Sequence, residues 1–171
     1  DVATVLQSDA LDADRIGELI ETGAIGTDFL GEILQSENLG VEKAAQIIQS
    51  DQVEVSKVAS ALQSESITAD RVAELFNQAE LTADRGADIL ASDELEVSKG
   101  AAILQSAGLG AGKGAEILQS DSISAGKAAT ILDSDKIDTS KAAGIIDHDA
   151  LAADKAADIL GLVEKRKAGA I

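Results

Sequence analysis

The chain has 171 residues, with 31 acids against 14 bases, a formal net charge of −17, and no Pro, Cys, Met, Trp or Tyr. Without cysteine it has neither a disulfide framework nor a thiolate metal site. So acidic a surface repels nucleic acid and anionic membranes, and no apolar run approaches the ~20 residues of a membrane span.

An acidic surface stays soluble in concentrated salt, where its self-repulsion is screened. Together with only two aromatic residues, Phe29 and Phe76, this leads us to expect a halophilic source and a high-salt environment. The expected partners are other proteins or further copies of the chain, and the acidic surface is also suited to diffuse cation binding. No cofactor is expected.

Asp1-Val2-Ala3-Thr4 fits the last four slots of a 14-residue pattern, I-L-Q-S-D-x-L-x-A-D-K-A-A-E, which then runs through eleven copies from Val5 to Asp158 without an insertion. Residues 1–4 therefore read as the tail of a truncated repeat, 5–158 as the array, and 159–171 as an irregular or capping segment. Lys167-Ala168-Gly169-Ala170-Ile171 resembles K-A-A-x-I, so the last stretch also reads as a shortened further repeat. We expect the chain to be a segment of a longer array. A short fixed period signals one supersecondary unit stacked many times, not a globule around a single pocket.

With slots numbered from the apolar pair, slots one and two are apolar in every copy, and slot seven is always Leu, Ile or Val. Slots nine, twelve, thirteen and the next slot two stand at i, i+3, i+4 and i+7, one face of a helix. The next slot one widens that face to about 160° at 100° per residue. Asp12, Thr68, Thr82, Ser124 and Asp138 at slot eight are good N-caps. Slots seven and twelve then form a hydrophobic staple.

The helix should run for about nine residues, to slot three or four, and stop at the S-D, S-E or S-A that follows. Helices shorter than ~12 residues are marginal in water, so no copy should fold alone. The predicted fold is all-α: a solenoid or superhelix of eleven 14-residue single-helix repeats, each a short helix and a tight turn. Connections of four residues turn a chain by ~90–120°, which would place three or four helices in each superhelical turn. The alternative is a stack of antiparallel helical hairpins, 28 residues to a pair.

Slot eleven is basic in ten copies: Arg15, Lys43, Lys57, Arg71, Arg85, Lys99, Lys113, Lys127, Lys141 and Lys155. A cation in the first turn opposes the helix dipole, so its reason lies between repeats. It either reaches the acid at slot five of an adjacent connection, as Lys127 toward Asp121 or Asp135, or binds exposed carbonyls at a neighbouring helix end. A solvated charge is the plain alternative. Slot thirteen holds Gly17, Gly31, Ala45, Ala59, Ala73, Ala87, Ala101, Ala115, Ala129, Ala143 and Ala157, small residues that let neighbouring backbones approach closely.

Features that suggest chemistry read better as variants of the repeat. Ala107 to Gly114, A-G-L-G-A-G-K-G, lacks the first Gly and the Ser/Thr of a phosphate-binding loop, and Lys113 is the slot-eleven cation. Ser124-Ala125-Gly126-Lys127 has the S-x-x-K spacing of acyl-transfer enzymes but is a helix N-cap and the usual cation. His148 is the single histidine, and Asp133-Ser134-Asp135 and Asp147-His148-Asp149 lack the ligand spacing of a calcium loop. Phe29 interrupts the cation ladder, and Glu164-Lys165-Arg166-Lys167 is the sole basic cluster.

Over nearly its whole length the chain resembles the α-solenoid class of repeat proteins, with shorter repeats than the helical-pair kinds. That resemblance implies spacers, scaffolds and extended binding surfaces. The expected function is a non-enzymatic structural array, a rod, scaffold or ruler of a surface layer, filament, virion or tail. The alternative is a module that binds a peptide or protein in its groove.

Overall fold

The computed structural model describes residues 2–169, which are all-α and contain no strand. Twelve helices follow in order: α1 (Val2–Leu6), α2 (Ala13–Glu21), α3 (Thr27–Gln35), α4 (Val41–Gln49), α5 (Val55–Gln63), α6 (Ala69–Phe76), α7 (Ala83–Ala91), α8 (Val97–Gln105), α9 (Ala111–Gln119), α10 (Ala125–Leu132), α11 (Thr139–Ile146) and α12 (Ala153–Gly169). From α2 to α11 each helix starts at slot nine and stops at slot two or three of the next copy.

The caps explain those limits. Asp12, Thr68, Thr82, Ser124 and Asp138 accept through their side chains from the slot-eleven N–H groups of Arg15, Arg71, Arg85, Lys127 and Lys141. Each bond satisfies an amide that the helix cannot satisfy itself.

At the other end, the slot-seven N–H donates to the slot-four carbonyl, from Leu11 onto Ser8 through to Leu151 onto His148. The slot-four serine tightens this turn by accepting at Oγ from the N–H two residues on, as Ser50 does from Gln52 at 3.2 Å and Ser120 from Ser122 at 3.2 Å. His148 does the same through Nδ1, accepting from Ala150 at 3.1 Å. A side chain that competes for backbone donors ends a helix, so the S-D-x-L run is a stop signal. Only the second connection departs from the pattern: Gly23 takes a left-handed φ of 80°, and Ile25 N–H reaches back to Leu19.

Packing skips a neighbour. The helices α1, α3, α5, α7, α9 and α11 form one column, each against the next, and α2, α4, α6, α8, α10 and α12 form the other. Two helices, 28 residues, therefore complete a layer, in place of the expected superhelical turn of three or four. The register is fixed by an aliphatic side chain over a small residue. A Cβ added at Gly86, Gly100 or Gly114 would lie 3.2, 3.6 or 3.2 Å from the slot-one Ile117, Ile131 or Ile145 of the helix two places on.

Slot two and slot seven fill the space between columns, with Leu34, Leu62, Phe76, Leu90, Leu39, Leu81 and Leu109 fully buried. The glycines at slot thirteen in the first two copies are needed for clearance. A Cβ on Gly31 would come 2.9 Å from the Ala61 carbonyl oxygen, and one on Gly17 would come 2.9 Å from Gln52 Cβ.

The C-terminal stretch is not irregular: α12 continues for 17 residues to Gly169. Leu162 stands where a turn-forming Ser belongs and Lys165 where the anchoring aliphatic belongs, so nothing stops the helix. The extension lies against α10, with Lys167 Nζ 3.5 Å from Asp133 Oδ1 and Arg166 bonded to Thr130 Oγ1. Asp1, in the truncated first repeat, and Ala170 and Ile171, in the shortened last one, lie outside the described residues.

Candidate functional site

Residue types that carry charge and hydrogen bonds meet along one seam, where each turn receives side chains from two repeats later. Slot eleven supplies the cations. Arg71 donates through Nε to Leu34 O at 3.0 Å and through Nη2 to Leu39 O at 2.8 Å. Arg85 repeats this one helix later, onto Ile48 O at 2.9 Å and Val53 O at 2.6 Å. Lys99 reaches Ile67 O at 2.6 Å, Lys113 reaches Leu81 O at 2.7 Å, and Lys155 reaches Ile123 O at 3.1 Å. Lys43 and Lys141 close the same bond onto Leu11 and Leu109.

Each cation so placed sits at the negative end of another helix's dipole, a better site than the positive end of its own. This answers why a base occupies the first turn. Lys57 differs slightly, bonding both the Glu21 carbonyl at 2.7 Å and the Glu21 carboxylate at 2.9 Å.

Slot-five acids form no ion pair with these cations, although the charge of Asp51 favours the protonated form of Arg85. Among the described residues no slot-eleven cation pairs with one, and Lys127 pairs with neither Asp121 nor Asp135. Arg15 pairs with Glu18 on its own helix and stays exposed. Burial pushes the pKa of Arg85 and of Lys99 down, as desolvation of a cation must.

The second line of the seam is Gln at slot three, whose role the sequence pattern does not announce. Its side-chain oxygen accepts from the slot-eight N–H of the helix three places on: Gln7 from Gly40 at 2.7 Å, Gln35 from Thr68 at 2.9 Å, Gln49 from Thr82 at 2.9 Å, Gln63 from Glu96 at 3.0 Å, Gln105 from Asp138 at 2.8 Å and Gln119 from Ala152 at 2.8 Å. Glu21 and Asn77 do the same for Glu54 and Gly110. These clamps tie one column to the other.

Hydrogen bonds from Lys57, then from the Glu54 N–H, hold the Glu21 carboxyl below its usual range. The Lys141 N–H, then Gln105, do the same for Asp138. A third line is partial: Ser50 Oγ donates to Asp14 at 2.8 Å and Ser120 Oγ to Asp84 at 2.6 Å.

The slot-thirteen residues lie beneath this seam. Gly17, Gly31 and the alanines from Ala45 to Ala129 are buried, whereas Ala143 and Ala157, with no helix two places on among the described residues, are exposed. Other sequence candidates fall into the lattice of repeats. Lys113 of the glycine-rich stretch is held by Leu81 O. Ser124 Oγ accepts from the Lys127 N–H at 3.1 Å as a helix cap. Phe29 is 42% exposed and lies in a shallow groove with Val2, Ala3 and Ile33.

Among the described residues no group of three or more His, Asp or Glu is placed to hold a metal ion. Among the same residues no helix is long and apolar enough to cross a membrane, and no buried side-chain N or O lacks a hydrogen-bond partner. Chemically, the seam can fasten one repeat to another.

A scan against models of known families finds no match, and neither the curated proteins nor the solved structures compared include one similar to this chain.

Proposed function

We propose that this chain is a non-enzymatic structural array: a rod, scaffold or ruler element of a larger assembly such as a surface layer, filament, virion or tail, working in concentrated salt. The observation that supports it most is the recurrence of one bond. Seven slot-eleven cations, Lys43, Arg71, Arg85, Lys99, Lys113, Lys141 and Lys155, each meet the slot-seven carbonyl 32 residues earlier. Identical joints at fixed intervals give a uniform rise, so length is set by copy number. Polar groups are spent on those joints, and the acids left over face solvent, where salt screens their repulsion.

The reading is tested by deleting or duplicating one 28-residue layer in the interior and measuring small-angle scattering of the dilute protein. The longest dimension should change by the same increment for each layer removed or added. Dimensions that grow as for a sphere, or not at all, would sink it.

A further inference from the structure

We propose that the array carries a built-in hinge at the joint between α10 and the turn leading into α8, which opens while the joints of the other column stay shut.

Two lines of bonds close the joints along the seam. From Lys43 to Lys155, each slot-eleven cation but one bonds a carbonyl of an earlier turn or helix end. From Gln7 to Gln119, each slot-three side chain but one clamps an amide 33 residues on. Both exceptions fall on the same joint. Ala91 has no side-chain acceptor to offer the Ser124 N–H. Lys127, three residues further on, reaches no carbonyl or carboxylate with its ammonium among the described residues, although Leu95 occupies the slot-seven position 32 residues before it.

Packing does not replace the missing bonds. A Cβ on Gly100 of α8 would lie 3.6 Å from Ile131 of α10, whereas the contacts to either side, Gly86 with Ile117 and Gly114 with Ile145, stand at 3.2 Å. Helix α10 is itself soft. Gly126 stands in its first turn, where a Cβ would meet no other helix, so the glycine weakens the helix without giving clearance. Thr130 Oγ1 donates back to the Gly126 carbonyl at 2.8 Å, a bond that tends to bend a helix.

Around this joint the array is fastened. In the same column Lys99 holds Ile67 O at 2.6 Å before it, and Lys155 holds Ile123 O at 3.1 Å after it. In the other column Lys113 holds Leu81 O at 2.7 Å, Lys141 holds Leu109 O, and Gln105 accepts from Asp138 at 2.8 Å. Local opening concentrates where stabilising contacts are fewest. Motion here pivots on the closed joints of α9 and α11 and parts α10 from α8, so the array bends toward its odd-numbered column.

The chain has no cysteine, so paired spin labels at exposed turn positions report this motion without background. Three double variants of the full chain each span two layers. Glu65→Cys with Asp121→Cys crosses the joint, Glu37→Cys with Asp93→Cys lies before it in the same series of turns, and Ala79→Cys with Asp135→Cys crosses the same level in the other series. Two interaxial steps of about 8–10 Å each suit double electron–electron resonance. The 65–121 distance distribution should be broader than the other two, with a tail to longer distances. Adding Ala91→Gln and Lys127→Arg supplies the clamp and a cationic fork like those of Arg71 and Arg85, and should narrow it to match them, with helical circular dichroism unchanged. Equal widths for the three pairs without those additions would overturn the proposal. So would a broad 65–121 distribution that the two added substitutions leave as it was. Either result would leave the rod standing, because its length per layer is measured separately.

Discussion

Helices α9 and α12 carry the same residue at slot thirteen in opposite surroundings. Ala115 is completely buried and Ala157 is exposed, although both follow a slot-eleven Lys and precede an aliphatic pair. Burial here is therefore a property of the helix two places on, not of the repeat in which the residue sits. The cations make the same point from the other end, since Arg85 is bound by three carbonyls of an earlier turn and Arg15 by none.

The largest expected effect comes from the cations. Arg85→Met removes charged hydrogen bonds to Ile48, Ser50 and Val53, and such bonds contribute ~1.5–3 kcal/mol apiece when considered singly. Three bonds to one group are not additive, so the loss should be about 3 kcal/mol in urea unfolding. Arg15→Met should change stability by less than ~0.5 kcal/mol, as an exposed pair does. Equal losses at the two sites would refute the seam.

Next comes the small-residue layer. Ala115→Leu overpacks a filled contact and should cost ~1–3 kcal/mol. Ala157→Leu, measured on dilute protein, should be close to neutral. An unchanged transition for Ala115→Leu would mean that the columns can part without penalty.

The smallest effect concerns the clamp. Gln49→Ala strips an acceptor from the Thr82 N–H and should cost about 1 kcal/mol. One interior copy already lacks a clamp: Ala91 stands where Gln would reach the Ser124 N–H, 33 residues on. Ala91→Gln should therefore gain up to ~1 kcal/mol, and slower exchange of the Ser124 amide would show that the gain comes from the clamp. No gain and no added protection would mean that the clamp follows packing instead of strengthening it.

Much of a single repeat was legible in the sequence, because its signals are local. The caps at Asp12, Thr68, Thr82, Ser124 and Asp138 announce themselves by residue type, and the apolar slots by their spacing on a helix. How copies pair was not legible, because slot thirteen looks the same one, two or three repeats away, so every multiple of 14 satisfies the pattern equally. The expectation of three or four helices per turn failed on that degeneracy. Partners of the cations and of Gln at slot three were hidden for a related reason. They are backbone carbonyls and amides, which every residue possesses, so no complementary side chain marks them. The acids at slot five were the visible partner for a cation, yet among the described residues none forms an ion pair with one, and Asp51 acts on Arg85 through its charge alone.

Side-chain bonds between repeats span 32 to 37 residues wherever they occur, from Lys43 onto Leu11 to Arg85 onto Ile48. Assembly of the chain thus never requires a loop much longer than that to close, however many copies are joined. Loop-closure entropy grows with the logarithm of loop length, so the entropic barrier to ordering is set locally and stays constant as the array lengthens. Relative contact order falls with each added repeat, which favours fast folding. Order can begin at any point where three consecutive copies meet and spread in both directions, including during synthesis while later copies are still being made.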